Sequence, residues 1–121
     1  MFLCCGTGRF VRDPELREIT KQDGTTTNVL EFSLATQERR GSKKFTHFFD
    51  MILWDQGAEL VAKFCKKGDR IFVQCSPRQD KWKTEDGQNR SRVIFRVDQF
   101  EFLDKARANR ENEEETETDN F

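Results

Sequence analysis

The sequence lacks the long apolar segments of a membrane protein or of a secreted precursor. It contains no run of about 18 apolar residues, the length that a membrane-spanning helix requires. The opening segment MFLCCGTGRF is too short, and too polar after Cys5, for a signal peptide. We therefore expect a cytoplasmic protein with no membrane partner.

Residues that carry catalytic or metal chemistry are also scarce. The cysteines at positions 4, 5, 65 and 75 form no C-x-x-C pair, so a zinc site is not expected. We expect free thiols that pack as small hydrophobes. His47 is the only histidine, and no serine or cysteine partner stands in a recognisable motif with it. The sequence thus predicts no catalytic residue, no metal and no cofactor, and an enzyme is not expected.

Charge divides the chain into two parts that the net charge of −1 conceals. Residues 1–103 carry 18 Lys and Arg against 15 Asp and Glu, whereas residues 104–121 carry three against seven. Between Leu103 and Phe121 the only apolar residues are two alanines, too few to offset the entropy of ordering. We predict one folded domain over 1–103 and a disordered acidic tail over 104–121.

Hydrophobic alternation predicts an all-β domain. Leu30, Phe32 and Leu34 alternate with polar residues, the pattern of a half-buried strand. Asp23-Gly24 and Asp86-Gly87 are hairpin-type turn signals. The predicted strands are 2–11, 28–36, 45–54, 70–76 and 93–103, with one helix in 55–69 whose apolar stripe is Leu60, Val61, Phe64 and Cys65. Three strands, one helix and two strands suit a five-stranded OB-fold barrel with the helix between strands 3 and 4.

The segment THFFDMILWD places aromatic residues on both faces of one predicted strand. Phe49, with Met51 and Leu53, forms an apolar face. Phe48 and Trp54 share the other face with Asp50, a carboxylate that marks this face as at least partly wet. The two aromatic residues either stack on a ligand or pack under a loop or at a subunit contact. Alternation alone leaves both interpretations open.

Basic residues accompany these aromatic residues and a second tryptophan. Trp82 lies in a polar hairpin, where exposing an indole does not help folding. The basic residues near it are Arg78, Lys81, Lys83, Arg90 and Arg92, and those in the loop before the aromatic strand are Arg39, Arg40, Lys43 and Lys44. In a groove for single-stranded nucleic acid, cations follow the phosphates while flat rings stack on bases. The pattern therefore indicates a small barrel that binds nucleic acid, although basic loop residues are often merely solvated.

Several motifs, in order and at matching spacing, resemble those of one family. They are GRFVRDPELR, FSLAT, HFFDMILWDQGAELVAKFCKKGD and KWKTEDGQNR. Over residues 1–103 the sequence is similar to the bacterial-type single-stranded-DNA-binding proteins, which also occur in phages and plastids. The resemblance implies sequence-tolerant binding of single-stranded DNA by an OB-fold, without catalysis. It implies stacking roles for Phe48, Trp54 and Trp82, and DNA-facing positions for Lys67 and Lys81. The family's fourth stacking position falls at Arg39 or Arg40, whose guanidinium can also stack on a base.

The resemblance extends to assembly and to the tail. It implies a homo-oligomer, with a tetramer favoured and a dimer through the first strands possible. Gly6 and Thr7 replace apolar residues that are usual there, and Pro77 is expected to interrupt the fourth strand. The tip Asp119, Asn120 and Phe121 resembles an acidic end that docks onto replication and repair proteins. The usual proline before it and a long linker are missing, a shortness that suggests a phage or plasmid protein.

These observations give one leading hypothesis and two rivals. The leading one is a protein that coats and protects single-stranded DNA during replication, recombination or repair, with the tail recruiting partners. The first rival is an OB-fold module of primosome type that serves protein–protein assembly. The second is an RNA-binding OB domain.

Overall fold

A computed structural model describes residues 1–106 as strands with a single helix. The elements are β1 (Cys4–Phe10), β2 (Leu16–Thr20), β3 (Thr26–Arg40), β4 (Lys43–Trp54), α1 (Asp55–Phe64), β5 (Arg70–Lys83) and β6 (Asn89–Phe102). Five strands close a barrel in the order β1, β5, β6, β4, β3 and back to β1. The helix lies between the third and fourth barrel strands, so the predicted OB-type barrel is confirmed.

Two short contacts close the barrel. β4 and β6 pair in parallel, through Met51 with Phe95 and Ile52 with Arg96. β1 pairs with β5 along most of its length and with β3 only at Arg9 and Phe10. At Gly8, just before β1 reaches β3, an added Cβ would lie 2.9 Å from the Cβ of Leu34. Glycine is therefore required where these two strands approach each other.

The interior follows the predicted alternation closely. Leu30, Phe32 and Leu34 are buried, and so are Met51 and Leu53. The third member of the predicted β4 apolar face, Phe49, is 38% exposed because β4 extends there beyond the barrel. The remaining members of the core cluster are Phe10, Ala58, Val61, Cys65, Ile71, Val73, Cys75 and Val97.

Half of the predicted apolar stripe is confirmed, since Val61 and Cys65 are buried, but the helix differs from its prediction at Leu60, at Phe64 and at its end. Ala58 and Val61 are fully buried, whereas Leu60 and Phe64 are nearly half-exposed. The sequence predicts that Gly68 ends the helix, but the helix ends at Phe64, and Gly68 adopts φ 88° in the following turn. At the other end, Asp55 has φ 59°, and its carboxylate accepts a hydrogen bond from Thr27 Oγ1. Near the start of α1, Gly57 lies against Leu53 of β4 and Phe100 of β6, where an added Cβ would be 3.2 Å and 3.3 Å from their side chains.

Strand β2 was not predicted, although its turn was. Its residues pair antiparallel with β3, from Leu16 with Leu30 to Thr20 with Thr26. Gly24 adopts φ 84° in the connecting turn, where Asp23 accepts hydrogen bonds from the backbone and the hydroxyl of Thr25. These hydrogen bonds lower the pKa of Asp23. A hairpin signal implies a strand on each side, which is how β2 could have been found.

Two segments, predicted as a basic hairpin loop and a long polar hairpin, are strand-paired arms that project beyond the barrel. In the arm of β3 and β4, pairing continues to Arg40 and Lys43 around Gly41, which has φ 61°. In the arm of β5 and β6, pairing continues to Lys83 and Asn89, with Gly87 at φ 85° in the predicted tip. The predicted hairpins are confirmed, but their strands run farther than predicted. Both faces of an arm are exposed, so no apolar alternation marks its strands.

The predicted interruption of the fourth barrel strand at Pro77 is wrong. β5 runs through Pro77, which pairs with Phe95 of β6. The last residue of β5 that pairs with β1 is Cys75, opposite Cys4. Pro77 thus lies where β5 has a partner strand on one side only, so its missing N–H leaves no ladder bond unmade.

Three residues beyond Leu103 contact the barrel. Asp104 pairs with Arg70 at 2.8 Å, Lys105 Nζ donates to the Phe64 carbonyl, and the Ala106 N–H donates to Asp69 Oδ1. The remaining predicted tail, including its tip, lies outside the described residues. Within residues 1–106, no helix has the length and apolar character needed to cross a membrane.

Candidate nucleic-acid interface

The three aromatic residues singled out from the sequence are exposed, two on β4 and one on the arm of β5 and β6. Phe48 is 63% exposed, Trp82 45% and Trp54 37%. Phe48 lies opposite Ala35 on β3, a side chain too small to cover it. Trp54 lies opposite Val29, which is fully buried although it is outside the main core cluster. Phe48 is therefore open to solvent, while the indole of Trp54 is partly packed.

The four basic residues predicted in the arm of β3 and β4 lie on two different faces of the arm. Strand alternation places Lys44 on the same face as Phe48, and Lys44 lies opposite Arg39. Arg40 and Lys43, which also lie opposite each other, occupy the reverse face. We call the face of β4 that carries Phe48, Asp50 and Trp54 the aromatic face. Only Arg39 and Lys44 extend it along this arm.

Contacts on the reverse face hold Arg40 in place. Its Nε donates to Glu38 Oε1 at 2.9 Å, and its guanidinium lies 5.9 Å from the ring centre of Phe45. His47 Nε2 lies 2.9 Å from the other oxygen of Glu38. These partners, Arg40 first, lower the pKa of Glu38. Arg40 is therefore less suited than Arg39 to replace the missing fourth aromatic residue.

The arm of β5 and β6 divides its basic residues in the same way. Trp82 lies opposite Arg90, and Arg78 lies opposite Ile94, all on one face of the arm. Lys81 and Lys83 are one residue removed from Trp82 on either side, so they belong to the reverse face. The two lysines that flank Trp82 in sequence do not share its face.

Arg92 is the centre of an ion-pair network between the aromatic residues. Its guanidinium lies 3.2 Å from Asp80, 3.8 Å from Asp50 and 3.9 Å from Glu31. Arg17 of β2 completes the network with a contact of 2.9 Å to Glu31. Arg92 was predicted to face phosphates, but three carboxylates already surround it.

Sequence reasoning missed the other members of this network. Glu31 and Asp80 meet Arg92 only through the barrel register, which joins strands distant in sequence. Arg17 was missed together with β2.

Lys67 lies in the loop between α1 and β5, where its backbone N–H donates to Asp13 Oδ1. Strand pairing does not join Lys67 to the three aromatic residues.

All four cysteines are free thiols. Cys65 and Cys75 are buried as expected, Cys4 is half-buried, and Cys5 is exposed. Burial raises the pKa of Cys65 to about 11, with a further contribution from Asp69, and burial likewise raises that of Cys75 to about 11. Within residues 1–106, no three His, Cys, Asp or Glu side chains are grouped to hold a metal ion.

Comparison with known proteins identifies the family. The model of the single-strand binding protein family matches residues 2–103, nearly all of the described chain. The chain belongs to this family. The resemblance inferred from GRFVRDPELR and the later motifs is thereby confirmed.

Bacterial relatives support the assignment. A protein named single-stranded DNA-binding protein 1 from Synechocystis is 36% identical over 107 residues, which cover 86% of this chain and 84% of the relative. The single-stranded DNA-binding protein of Treponema pallidum is 33% identical over 100 residues, 79% of this chain. That of Thermus thermophilus is 39% identical over 84 residues. The matched region spans only 54% of the Treponema protein and 30% of the Thermus protein.

Proposed function

We propose that this member of the single-strand binding protein family binds single-stranded DNA without sequence specificity and without catalysis. The observation that carries the proposal is the exposure of Phe48, Trp54 and Trp82 on strands of one barrel in a chain of this family. An exposed ring has no folding benefit, whereas base stacking contributes about 1–3 kcal/mol per base. Every base has a π-face, so such binding tolerates any sequence.

Phosphate contacts are assigned to cations that share the aromatic face. Arg39 and Lys44 extend it along one arm, and Arg78 and Arg90 extend it along the other. Arg92 has a supporting role, since it compensates the carboxylates of the face. The cations on the reverse faces, Arg40, Lys43, Lys81 and Lys83, contribute less to this binding.

The biological role extends from this binding. Coated DNA would be protected in the cytoplasm during replication, recombination and repair, and the acidic tip at Asp119, Asn120 and Phe121 would recruit partner proteins. Assembly into a homo-oligomer is supported by β1, because Cys4 to Gly8 pair with β5 on one side while β3 joins only at Arg9 and Phe10. Such a strand edge can pair with another chain.

One titration tests the central proposal. Oligo(dT) is added to the full chain while tryptophan fluorescence is followed at low and at moderate salt. Stacking on Trp54 and Trp82 should quench their emission, and the affinity should fall with salt as counterions are released. Absence of both quenching and binding would refute the proposal and favour the protein–protein assembly module. Equal affinity for duplex DNA would contradict single-strand recognition, and tighter binding of oligo(rU) would favour RNA.

A further inference from the structure

On β4, one carboxylate lies between the two rings of the aromatic face. Asp50 follows Phe48 by two residues and precedes Trp54 by four, so all three side chains project to the same side of β4. Its side chain is 50% exposed. A negative charge at this position repels phosphates. Phosphate binding therefore explains the cations around Asp50 but not Asp50 itself.

The hydrogen-bonding capacity of Asp50 is only partly used. Oδ1 accepts a hydrogen bond from Ser33 Oγ at 2.7 Å. Oδ2 lies 3.8 Å from the nearest nitrogen of Arg92, beyond hydrogen-bonding distance, and Arg92 donates instead to Asp80 at 3.2 Å. Among residues 1–106 no group donates a hydrogen bond to Oδ2. The face therefore presents an acceptor that is positioned by Ser33 and still available.

The spacing along β4 brings this acceptor to the edge of a stacked base. Side chains two residues apart on a strand are separated by about 6.6 Å, roughly the width of a base. A base that stacks on Phe48 thus extends its hydrogen-bonding edge toward Asp50. Phosphates, repelled by the carboxylate, are directed to the cations on the arms, such as Arg39 and Lys44.

From this geometry we propose that Asp50 is a specificity-determining residue that accepts a hydrogen bond from the exocyclic amino group of the base on Phe48. Cytosine and adenine carry such a group, whereas thymine presents a carbonyl oxygen at the same position, which the carboxylate repels. The inference rests on the proposed single-stranded-DNA binding. It adds a modest bias toward cytosine and adenine at one base position, within binding that accepts every sequence.

The test compares oligo(dC) and oligo(dT) of equal length with the full chain. Fluorescence titrations at mildly alkaline pH, where oligo(dC) stays unfolded, give the ratio of the two affinities. In Asp50→Ala, the affinity for oligo(dC) relative to oligo(dT) should fall about fivefold from its wild-type value, in line with the loss of one base-edge contact. Asp50→Asn keeps the shape and the Ser33 hydrogen bond to Oδ1 but places an NH2 donor where Oδ2 was, so it should lower the ratio at least as much.

The matched control is Glu18→Gln. Glu18 is exposed on β2, next in sequence to Arg17 and so on the other side of the strand. The Glu18→Gln substitution removes the same charge from the chain without touching the aromatic face. It should leave the ratio of oligo(dC) to oligo(dT) affinity unchanged. Thermal unfolding of each variant checks that the fold is retained.

The outcomes separate this inference from the proposed function. If Asp50→Ala strengthens binding of both oligonucleotides by the same factor, Asp50 acts only by repelling phosphates and the inference is wrong. An unchanged ratio in both Asp50 variants overturns it equally. If the wild-type chain binds neither oligonucleotide, the proposed function itself fails.

Discussion

At the scale of single residues, neighbouring aromatic side chains of β4 have different surroundings. Phe49 packs edge-on against Phe95, with ring centres 5.5 Å apart. Phe48, the preceding residue, faces the other way and is 63% exposed. Because Phe49 packs against the protein and Phe48 does not, replacing each ring in turn separates a role in base stacking from a role in packing.

We expect Phe48→Ala and Trp54→Ala to weaken oligo(dT) binding by about 1–3 kcal/mol each. Phe48→Ala should change the free energy of unfolding by no more than about 0.5 kcal/mol, the range of exposed substitutions, and Trp54→Ala by more, since its indole is partly packed. Titration and denaturant unfolding measure the two effects. Phe49→Ala is the control, with a larger loss of stability and a smaller loss of affinity. The reverse ranking would restore the packing interpretation.

The cysteines give a second prediction at this scale. Cys5 is exposed, whereas Cys65 and Cys75 are buried and have pKa values raised from 9.0 to about 11. A thiol reagent at neutral pH should therefore modify Cys5 first and these two only on unfolding, because the thiolate is the reactive form. Peptide mapping of the labelled protein identifies the sites. Rapid labelling of Cys75 in the folded protein would contradict the prediction.

The same shifts predict how stability depends on pH. The folded state holds the thiol protons of Cys65 and Cys75 more tightly than the unfolded chain does. Their contribution to stability is thus complete below pH 9 and is lost as the pH rises toward 11. Denaturant midpoints across this range should fall, and they should fall less in Cys75→Ser than in the wild type.

Much of the candidate site was accessible from the sequence, because aromatic residues on a wet strand face are conspicuous locally. Phe48 and Trp54 were identified in this way, and Trp82 by its place among basic residues in a polar hairpin. The surroundings of Arg92 were not, since its partners Asp50 and Asp80 belong to other strands. Local patterns report which side of a strand a residue occupies, but not which strand lies beside it.

At the scale of elements, the arms explain both what sequence reasoning predicted and what it missed. Barrel strands such as β3 have one buried face, so their alternation is visible, and the turn at Asp86-Gly87 has its own signal. The outer part of β5, from Gln79 to Lys83, is exposed on both faces, so the sequence predicts a polar hairpin there without showing how far its strands run. Its partner segment in β6 is equally exposed, and only pairing reveals the strand.

The two faces of the β3 and β4 arm supply a matched comparison. Replacing Arg39 and Lys44 together by alanine should weaken oligo(dT) binding and lower the slope of log affinity against log salt by about 1.4, as expected for two lost contacts to a single strand. Replacing Arg40 and Lys43 removes the same charge from the reverse face and should change the slope much less. Titrations at several salt concentrations measure both. Equal slopes for the two variants would show that the salt dependence of binding follows the number of charges removed and not the face of the arm on which they lie.

At the scale of the whole molecule, the folded body and the acidic end carry opposite charge. Residues 1–103 hold an excess of bases, and from Glu111 onward there are six acids and no base. The proposed division of labour follows this separation, with DNA bound by the body and proteins by the end of the chain. Each activity should then be removable without the other.

Deleting Asp119 to Phe121 tests that separation. Oligo(dT) affinity at moderate salt should stay within about twofold of the wild type, since long-range charge effects are screened there. Capture of a helicase or nuclease partner by the immobilised protein should be lost. Phe121→Ala alone is the conservative version, because it keeps every charge. Undiminished capture by both variants would refute the recruiting role of the tail.

The pairing of β1 with β5 also has a kinetic consequence. It joins Cys4 to Cys75, residues about seventy positions apart, whereas β2 with β3, β3 with β4, and β5 with β6 are hairpins that form locally. Distant pairings require closure of a long loop before any contact compensates for it, and they slow folding. The hairpins are therefore expected to form early and the barrel to close last, so until that step a newly made chain exposes the strand edges that its finished form conceals.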